Sequence, residues 1–265
     1  MKVKDKVIVV TGGGNGIGRE IVLELLKRGA NVAAIDISED ALRQTQNLAK
    51  PFNGNLSTHQ LDITDLEAVN QLPSQVIEYH KQVDGLINNA GIIQPFIKIN
   101  ELEYKKIEQV MHVNFYGPLF MIKAFLPYFL QRPEAQITNV SSMGGFVPVP
   151  GQTIYGASKA ALKLLSEGLY SELKNTHIGV TTVYPGGVAT DIMKHSGAEG
   201  TLKTKLGQKK AKMKLLTPTQ AAIIIIDGMK ANKYKVLAGN DSKMLDFMVR
   251  HFPKKAAEVI ANKLA

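Results

Sequence analysis

Short runs of apolar residues alternate along this chain with longer stretches in which apolar positions recur every three or four residues. Seven strands are read from this pattern, near Val7 to Val10, Val32 to Ile35, Leu56 to Gln60, Leu86 to Asn88, Ile137 to Val140, Val180 to Tyr184 and Lys235 to Ala238. Such brief, bounded runs suit strands buried on both faces of a sheet. The stretches between them read as amphipathic helices. The first carries Ile17, Ile21, Leu25 and Leu26 on one face, continues to Arg28 and is stopped by Gly29. This alternation predicts an α/β fold: a doubly wound, seven-stranded parallel sheet with helices on both faces. Right-handed crossovers then collect the strand carboxyl ends, with Gly12, Asp36, Asn89, Ser142 and Pro185, along one edge, where sheets of this kind bind ligands. No repeat, low-complexity tract or linker interrupts the series, so 1–265 reads as a single domain with one large core.

The first strand runs straight into Thr11-Gly-Gly-Gly-Asn-Gly-Ile-Gly18. A strand, a glycine turn and a helix in that order make a Rossmann-type dinucleotide site. The glycines let backbone approach a pyrophosphate, and the helix start turns N–H groups and its positive dipole end toward the anion. The spacing Gly12, Gly16, Gly18 differs from the usual G-x-G-x-x-G. Asp36, twenty residues beyond Gly16 at the end of the second strand, would accept hydrogen bonds from ribose hydroxyls and repel a 2′-phosphate. NAD(H) is therefore expected in preference to NADP(H), unless Arg19 or Arg43 neutralises the phosphate. Asp36 could instead cap the following helix, a role equally open to Ser38. Asp62, after the third strand, is placed either to cap the next helix or to touch the adenine.

Tyr155 and Lys159 stand four residues apart, on one face of an expected helix. A lysine there should favour the phenolate and make Tyr155 a general acid/base, with each unit of pKa depression equivalent to about 1.4 kcal/mol. Ser142, thirteen residues earlier at the end of an apolar run, offers a hydroxyl to a substrate oxygen.

Together these motifs resemble those of the single-domain short-chain dehydrogenase/reductase family, and the match spans nearly the whole chain. Thr11 to Gly18 corresponds to the family's T-G-x-x-x-G-x-G turn, Asn88-Asn89-Ala90-Gly91 to its N-N-A-G motif, and Pro185-Gly186 to its turn after the sixth strand. The resemblance implies a catalytic set of Asn114, Ser142, Tyr155 and Lys159. It implies a cofactor-binding set of Gly12, Gly14, Asn15, Gly16, Ile17, Gly18, Asp36, Ile37, Asp62, Ile63, Asn89, Ala90, Gly91, Pro185, Gly186, Val188 and Thr190, joined by Tyr155 and Lys159. In the family the asparagine matched by Asn114 interrupts a helix so that water links the lysine to solvent. The family also pairs its fifth and sixth long helices between subunits, so the segments Leu119 to Leu130 and Leu162 to Leu173 are expected to form a homodimer or homotetramer.

Composition narrows the chemistry further. The chain has no cysteine, so disulfides, thiolate catalysis and cysteine metal sites are excluded, and six scattered histidines show no paired metal-ligand spacing. The charged Met1 to Lys6 leave no room for a signal peptide, and the longest apolar runs, such as Ala221 to Ile226, are too short to span a bilayer. A cytoplasmic protein is expected, with peripheral membrane attachment as an alternative. Met143 to Gln152 is apolar, and a lid expected at about 191–217 begins with the apolar Ile192 and Met193; both features point to a hydrophobic secondary alcohol or ketone as substrate. From Lys194 to Lys214 there are seven lysines and one acid, Glu199, within a chain of net charge +9. That run could be a solvated lid, a face for an acidic partner such as an acyl carrier protein, or a membrane-surface contact. The exposed-looking apolar tail, from Met244 to Phe252, could shape the pocket mouth, meet another subunit or touch lipid. No nucleic-acid motif accompanies the positive charge. A 3-oxoacyl thioester reductase would share every catalytic residue, and a non-catalytic NAD(H) sensor would need the glycine turn alone.

Overall fold

The computed structural model describes residues 1–52, 54–198 and 215–264. All seven expected strands form: β1 (Val7–Thr11), β2 (Asn31–Asp36), β3 (Leu56–Gln60), β4 (Gly85–Asn88), β5 (Ala135–Val140), β6 (Ile178–Pro185) and β7 (Lys235–Ala238). They build one parallel sheet in the order β3-β2-β1-β4-β5-β6-β7. The chain winds one way from β1 to β3 and then crosses back to β4. The switch point therefore lies between β1 and β4, where Val9 pairs with Leu86. In doubly wound sheets ligands bind at such a point, in the crevice beyond the strand carboxyl ends.

The helices are α1 (Gly16–Lys27), α2 (Glu39–Ala49), α3 (Leu66–His80), α4 (Tyr104–Met111), α5 (Gly117–Phe129), α6 (Thr153–Glu172), α7 (Ile192–His195), α8 (Pro218–Lys230), α9 (Asn240–His251) and α10 (Pro253–Leu264). Alternation along β1 divides them into two layers, because successive strand side chains point to opposite faces. Ile8 and Val10 pack with Ile21 and Leu25 of α1 and with Ile225 and Met229 of α8. Val7 and Val9 pack with Leu72 and Val76 of α3, Met121 and Phe125 of α5, and Leu169 of α6. Each such side chain removed from water contributes roughly 1.5–3 kcal/mol.

Local chemistry sets the helix entries that frame the crevice. Gly29 adopts φ +79° and ends α1, as the sequence predicts. Ser38 caps α2 by accepting from the Ala41 amide at 3.2 Å, so Asp36 is free of that duty. Asp65, rather than Asp62, caps α3 through the Ala68 amide at 3.1 Å. Asp62 instead closes a small turn, accepting from the backbone N–H and hydroxyl of Thr64. At the opposite end of the sheet, the buried Asp84 accepts from the Val7 amide at 2.9 Å and pairs with Arg132, also at 2.9 Å, pinning the start of β1.

The expected lid departs through α7 and the chain re-enters at Leu215, where a parallel bridge joins Val188 to Leu216. Residues 199–214, which hold Glu199 and every lysine of the basic run except Lys194, lie outside the described residues. No helix among the described residues is long and apolar enough to cross a membrane. The tail folds as α9 and α10, and Met244, Phe247 and Phe252 are exposed on it. Leu130, just past α5, and Leu164 of α6 are likewise exposed.

Candidate active site

The glycine turn between β1 and α1 is shaped by contacts that leave no space for side chains. Gly12 and Gly16 have φ of +68° and +51°, a region that favours glycine. A Cβ on Gly18 would stand 1.9 Å from the Gly12 carbonyl oxygen. Helix α1 has no side-chain cap at Asn15 and no acidic residue in its first turn, so its N–H groups and positive end face the crevice unopposed. This cradle suits a dinucleotide pyrophosphate, to which Gly14, Asn15, Gly16, Ile17 and Gly18 would present backbone.

Asp36 stands at the end of β2 beside this turn. Its Oδ2 accepts from the Gly14 amide at 2.9 Å and its Oδ1 from the Ser38 amide at 3.0 Å. Each carboxylate oxygen keeps lone-pair capacity for ribose hydroxyls. The neighbouring Ile37 is 64% exposed. Both candidate phosphate-neutralising arginines already have partners, Arg19 within the turn itself and Arg43 on α2. Arg19 donates to the Gly14 carbonyl, Thr45, Asn15 and Gln44, and Arg43 pairs with Asp40 and Glu39. Ile63 packs into the core against the Gly117 backbone, which leaves Asp62 as the more exposed of that pair.

The ends of β1 and β4 are tied together at the switch point. Thr11 Oγ1 accepts from the Asn89 and Ala90 amides at 3.0 and 3.1 Å, while Asn89 Nδ2 donates to the Thr11 carbonyl. Gly91 then passes close to Lys159 and Asn114, with a Cβ there 3.1 Å from Lys159 Nζ and 3.2 Å from Asn114 Oδ1. Beyond β6, Gly186 and Gly187 are held against Asp241 of α9, whose Oδ2 accepts from the Gly187 amide at 2.6 Å. Thr190 lies near Gly16, and Val188 forms the bridge to Leu216.

Asn114 interrupts a helix. The segment His112–Tyr116 is a π-turn between α4 and α5, and Asn114 is fully buried within it. Its Oδ1 accepts from the Ile92 amide and its Nδ2 donates to the Ile92 carbonyl, both at 2.9 Å, with a further bond to Ser158 Oγ at 3.0 Å. The side chain thus bonds to a distant strand extension and to α6 rather than to its own backbone.

Ser142, Tyr155 and Lys159 meet at the carboxyl end of β5. Ser142 Oγ accepts from the Gly144 amide at 3.0 Å and is hydrogen-bonded to the Tyr155 hydroxyl. Lys159 is buried, and its ammonium donates to the Val140 carbonyl at 3.0 Å. Burial pushes the lysine down to about 8, while burial pushes the Tyr155 phenol up and the Ser142 bond draws it back. Desolvation is the largest influence on the phenol.

Two contributors were invisible in the sequence. Asp241 fastens Gly187 from 54 residues away, and Gln94, fully buried, bonds to residues 57–61 positions further on. Neither sits in a local motif, so only the folded chain reveals them. Among the described residues, no group of three or more His, Asp or Glu side chains is placed to hold a metal ion.

Comparison with known proteins agrees with this architecture. A family model described as short chain dehydrogenase matches residues 6–200. SadH of Mycobacterium tuberculosis, whose name assigns it as an oxidoreductase, is 31% identical over 264 residues, covering 98% of this chain and 95% of that protein. The 3-oxoacyl-[acyl-carrier-protein] reductase FabG of Thermotoga maritima is 32% identical over 192 residues, covering 72% of this chain and 78% of that protein. The crystal structure of a short chain dehydrogenase/reductase from Burkholderia phymatum in complex with NAD superimposes with a TM-score of 0.84 at 25% identity, covering 95% of this chain and 94% of that one.

Proposed function

This chain belongs to the short-chain dehydrogenase family and is an oxidoreductase acting on CH–OH groups, and from that premise we propose that it interconverts a hydrophobic secondary alcohol and its ketone with NAD(H). The convergence of Ser142, Tyr155 and Lys159, with Asn114 behind them, at the edge where the glycine turn opens carries this reading.

When bound, the nicotinamide would supply the hydride acceptor or donor. The chain's own residues manage the oxygen and its proton. Tyr155 takes a proton from the carbinol oxygen in oxidation and returns it in reduction, while Ser142 holds that oxygen by hydrogen bond. Burial favours a neutral phenol, so the base form depends on positive charge brought near it, from Lys159 and from an oxidised cofactor. A lysine near 8 is charged at neutral pH yet able to release its proton, which suits a relay to solvent past Asn114. Asp36 would bind the ribose hydroxyls and disfavour a 2′-phosphate, an assignment supported by the prior commitments of Arg19 and Arg43.

The apolar segments after Ser142 and after Thr190 support a hydrophobic substrate. The whole chain would serve this one site as a single domain, and exposed Leu130 and Leu164 favour association of α5 and α6 between copies. The likeness to FabG favours a second reading, reduction of a 3-oxoacyl thioester, in which basic residues of the lid would meet an acidic carrier. Initial rates with NAD⁺ and NADP⁺ across secondary alcohols graded in size and polarity, beside a 3-oxoacyl thioester with NADH and NADPH, separate these readings. Turnover that rises with alcohol hydrophobicity and needs NAD⁺ supports the first. Turnover confined to the thioester replaces it with the second.

A further inference from the structure

Helix α6 carries Tyr155 and Lys159, yet its own sequence gives it no cap. Gln152, in the N-cap position, makes no side-chain bond to the helix, although the first-turn N–H groups of any helix need acceptors. Those acceptors come from the far side of the site. Gln94 Oε1 accepts from the amides of Ile154 at 2.8 Å and Tyr155 at 3.0 Å, the second and third residues of the helix. These are the two amides that a side-chain cap ordinarily takes.

The rest of Gln94 is equally committed. Its Nε2 donates to the Gly151 carbonyl at 3.0 Å, where φ of +77° bends the chain into the helix. Its backbone carbonyl accepts from Gln152 Nε2 at 2.7 Å. Gln94 is fully buried and Gln152 is 4% exposed. A glutamine that supplies one acceptor to two amides and one donor to a carbonyl is a geometric bracket, and burial makes each lost bond costly. Two residues upstream, Ile92 is clamped by Asn114, so the strand extension 91–94 is fixed at one end to the π-turn and at the other to the start of α6.

We infer that Gln94 is a positioning residue for proton transfer: it caps the helix bearing Tyr155 and so sets that phenol against Ser142. It acts through the Tyr155 amide and not on substrate, because its side-chain polar atoms are occupied by backbone. The inference rests on the proposed role of Tyr155.

Three variants test it: Gln94→Leu, Gln94→Glu and Tyr155→Phe. The readouts are an ultraviolet tyrosinate titration of each NAD⁺-saturated protein, NADH affinity by fluorescence, and turnover of the panel's fastest secondary alcohol. The Tyr155→Phe curve, subtracted from the wild-type curve, isolates the phenol. Leucine removes the cap, so turnover should fall about tenfold or more while NADH affinity stays within about twofold, since the glycine turn is untouched. Glutamate keeps the oxygen that accepts from both amides, loses the Nε2 donor to the Gly151 carbonyl and adds a negative charge at the start of the helix that bears the phenol. Its titration should move up by on the order of one unit, and turnover should recover at pH values above that shift. A Gln94→Leu protein with wild-type turnover and titration overturns the inference. So does a loss of turnover matched by an equal loss of NADH affinity, or a Gln94→Glu titration that does not move. Tyr155→Phe turning over like wild type would overturn the underlying reading as well; Tyr155→Phe inactive beside an unaltered Gln94→Leu overturns this inference alone.

Discussion

Replacing Asp36 by Asn removes one charge while keeping the side chain's shape, which makes cofactor choice a quantitative test. The Asn carbonyl can still accept from the Gly14 amide, so the turn that Asp36 Oδ2 supports at 2.9 Å should persist. At an effective dielectric constant of about 20, two unit charges ~5 Å apart repel by about 3 kcal/mol. Screening at this partly exposed edge reduces that to roughly 1.5–2 kcal/mol, or about ten- to thirtyfold in affinity. Hydrogen bonds from ribose hydroxyls to a carboxylate are about twice as strong as those to an amide, so NADH should weaken by about 1–2 kcal/mol. NADH and NADPH fluorescence titrations of wild type and Asp36→Asn measure both effects without a substrate. The preference for NADH should shrink by about a hundredfold, with both changes contributing. A ratio of the two dissociation constants unchanged within about twofold, or a wild type that binds NADPH as tightly as NADH, refutes the argument from Asp36.

Other consequences follow from the same contacts. Asn114→Ala removes the partner of the part-buried Ile92 amide and carbonyl and leaves the Ser158 hydroxyl only its bond to the Tyr155 carbonyl, so it should destabilise the fold by about 1–3 kcal/mol, read as a lowered denaturant midpoint. Burial pushes Lys159 down to about 8, so its charge opposes folding fully below that value and the penalty fades as pH rises from 8 toward 10.5. Lys159→Met should therefore raise stability at pH 7 by on the order of 3 kcal/mol, flatten the alkaline gain and abolish turnover; calorimetry at pH 7 and 10 checks it. His80, hydrogen-bonded to Ser57 at 2.9 Å, is pushed down to about 4 by burial and by His59. The unfolded state then binds the extra proton, so this stability is present above about 6.5 and lost as pH falls toward 4. For a half-buried ring the effect is about 1 kcal/mol after screening, and His80→Gln should lessen the acid-induced drop in Tm by about 2–4 °C.

What the sequence revealed and what it hid divide along one physical line. Parallel strands covered on both faces tend to be continuously apolar, so Val7 to Val10 and Val32 to Ile35 were readable as strands without partners. The glycine turn was readable because close backbone approach leaves glycine as the side chain of least conflict, as the 1.9 Å approach at Gly18 demonstrates. Asp62 and Asp65 were harder, because both precede α3 and only the Ala68 amide distinguishes the cap. The burial of Tyr155 and the bond from Lys159 to the Val140 carbonyl were not readable, because helical spacing describes neighbours along a helix and not the adjacent sheet. Gln94 lay beyond reach for a related reason. A cap is legible when it precedes its helix, and this one arrives from 60 residues upstream.

The account stands most directly on the proton that Tyr155 is assigned to move. Tyr155→Phe keeps the ring and removes the hydroxyl, so initial rates with NAD⁺ and the best secondary alcohol, measured beside NADH affinity, isolate that one function. The account predicts a loss of at least about a hundredfold in turnover, within the usual reach of general acid/base catalysis, with NADH binding changed less than about twofold. Turnover within tenfold of wild type would contradict it.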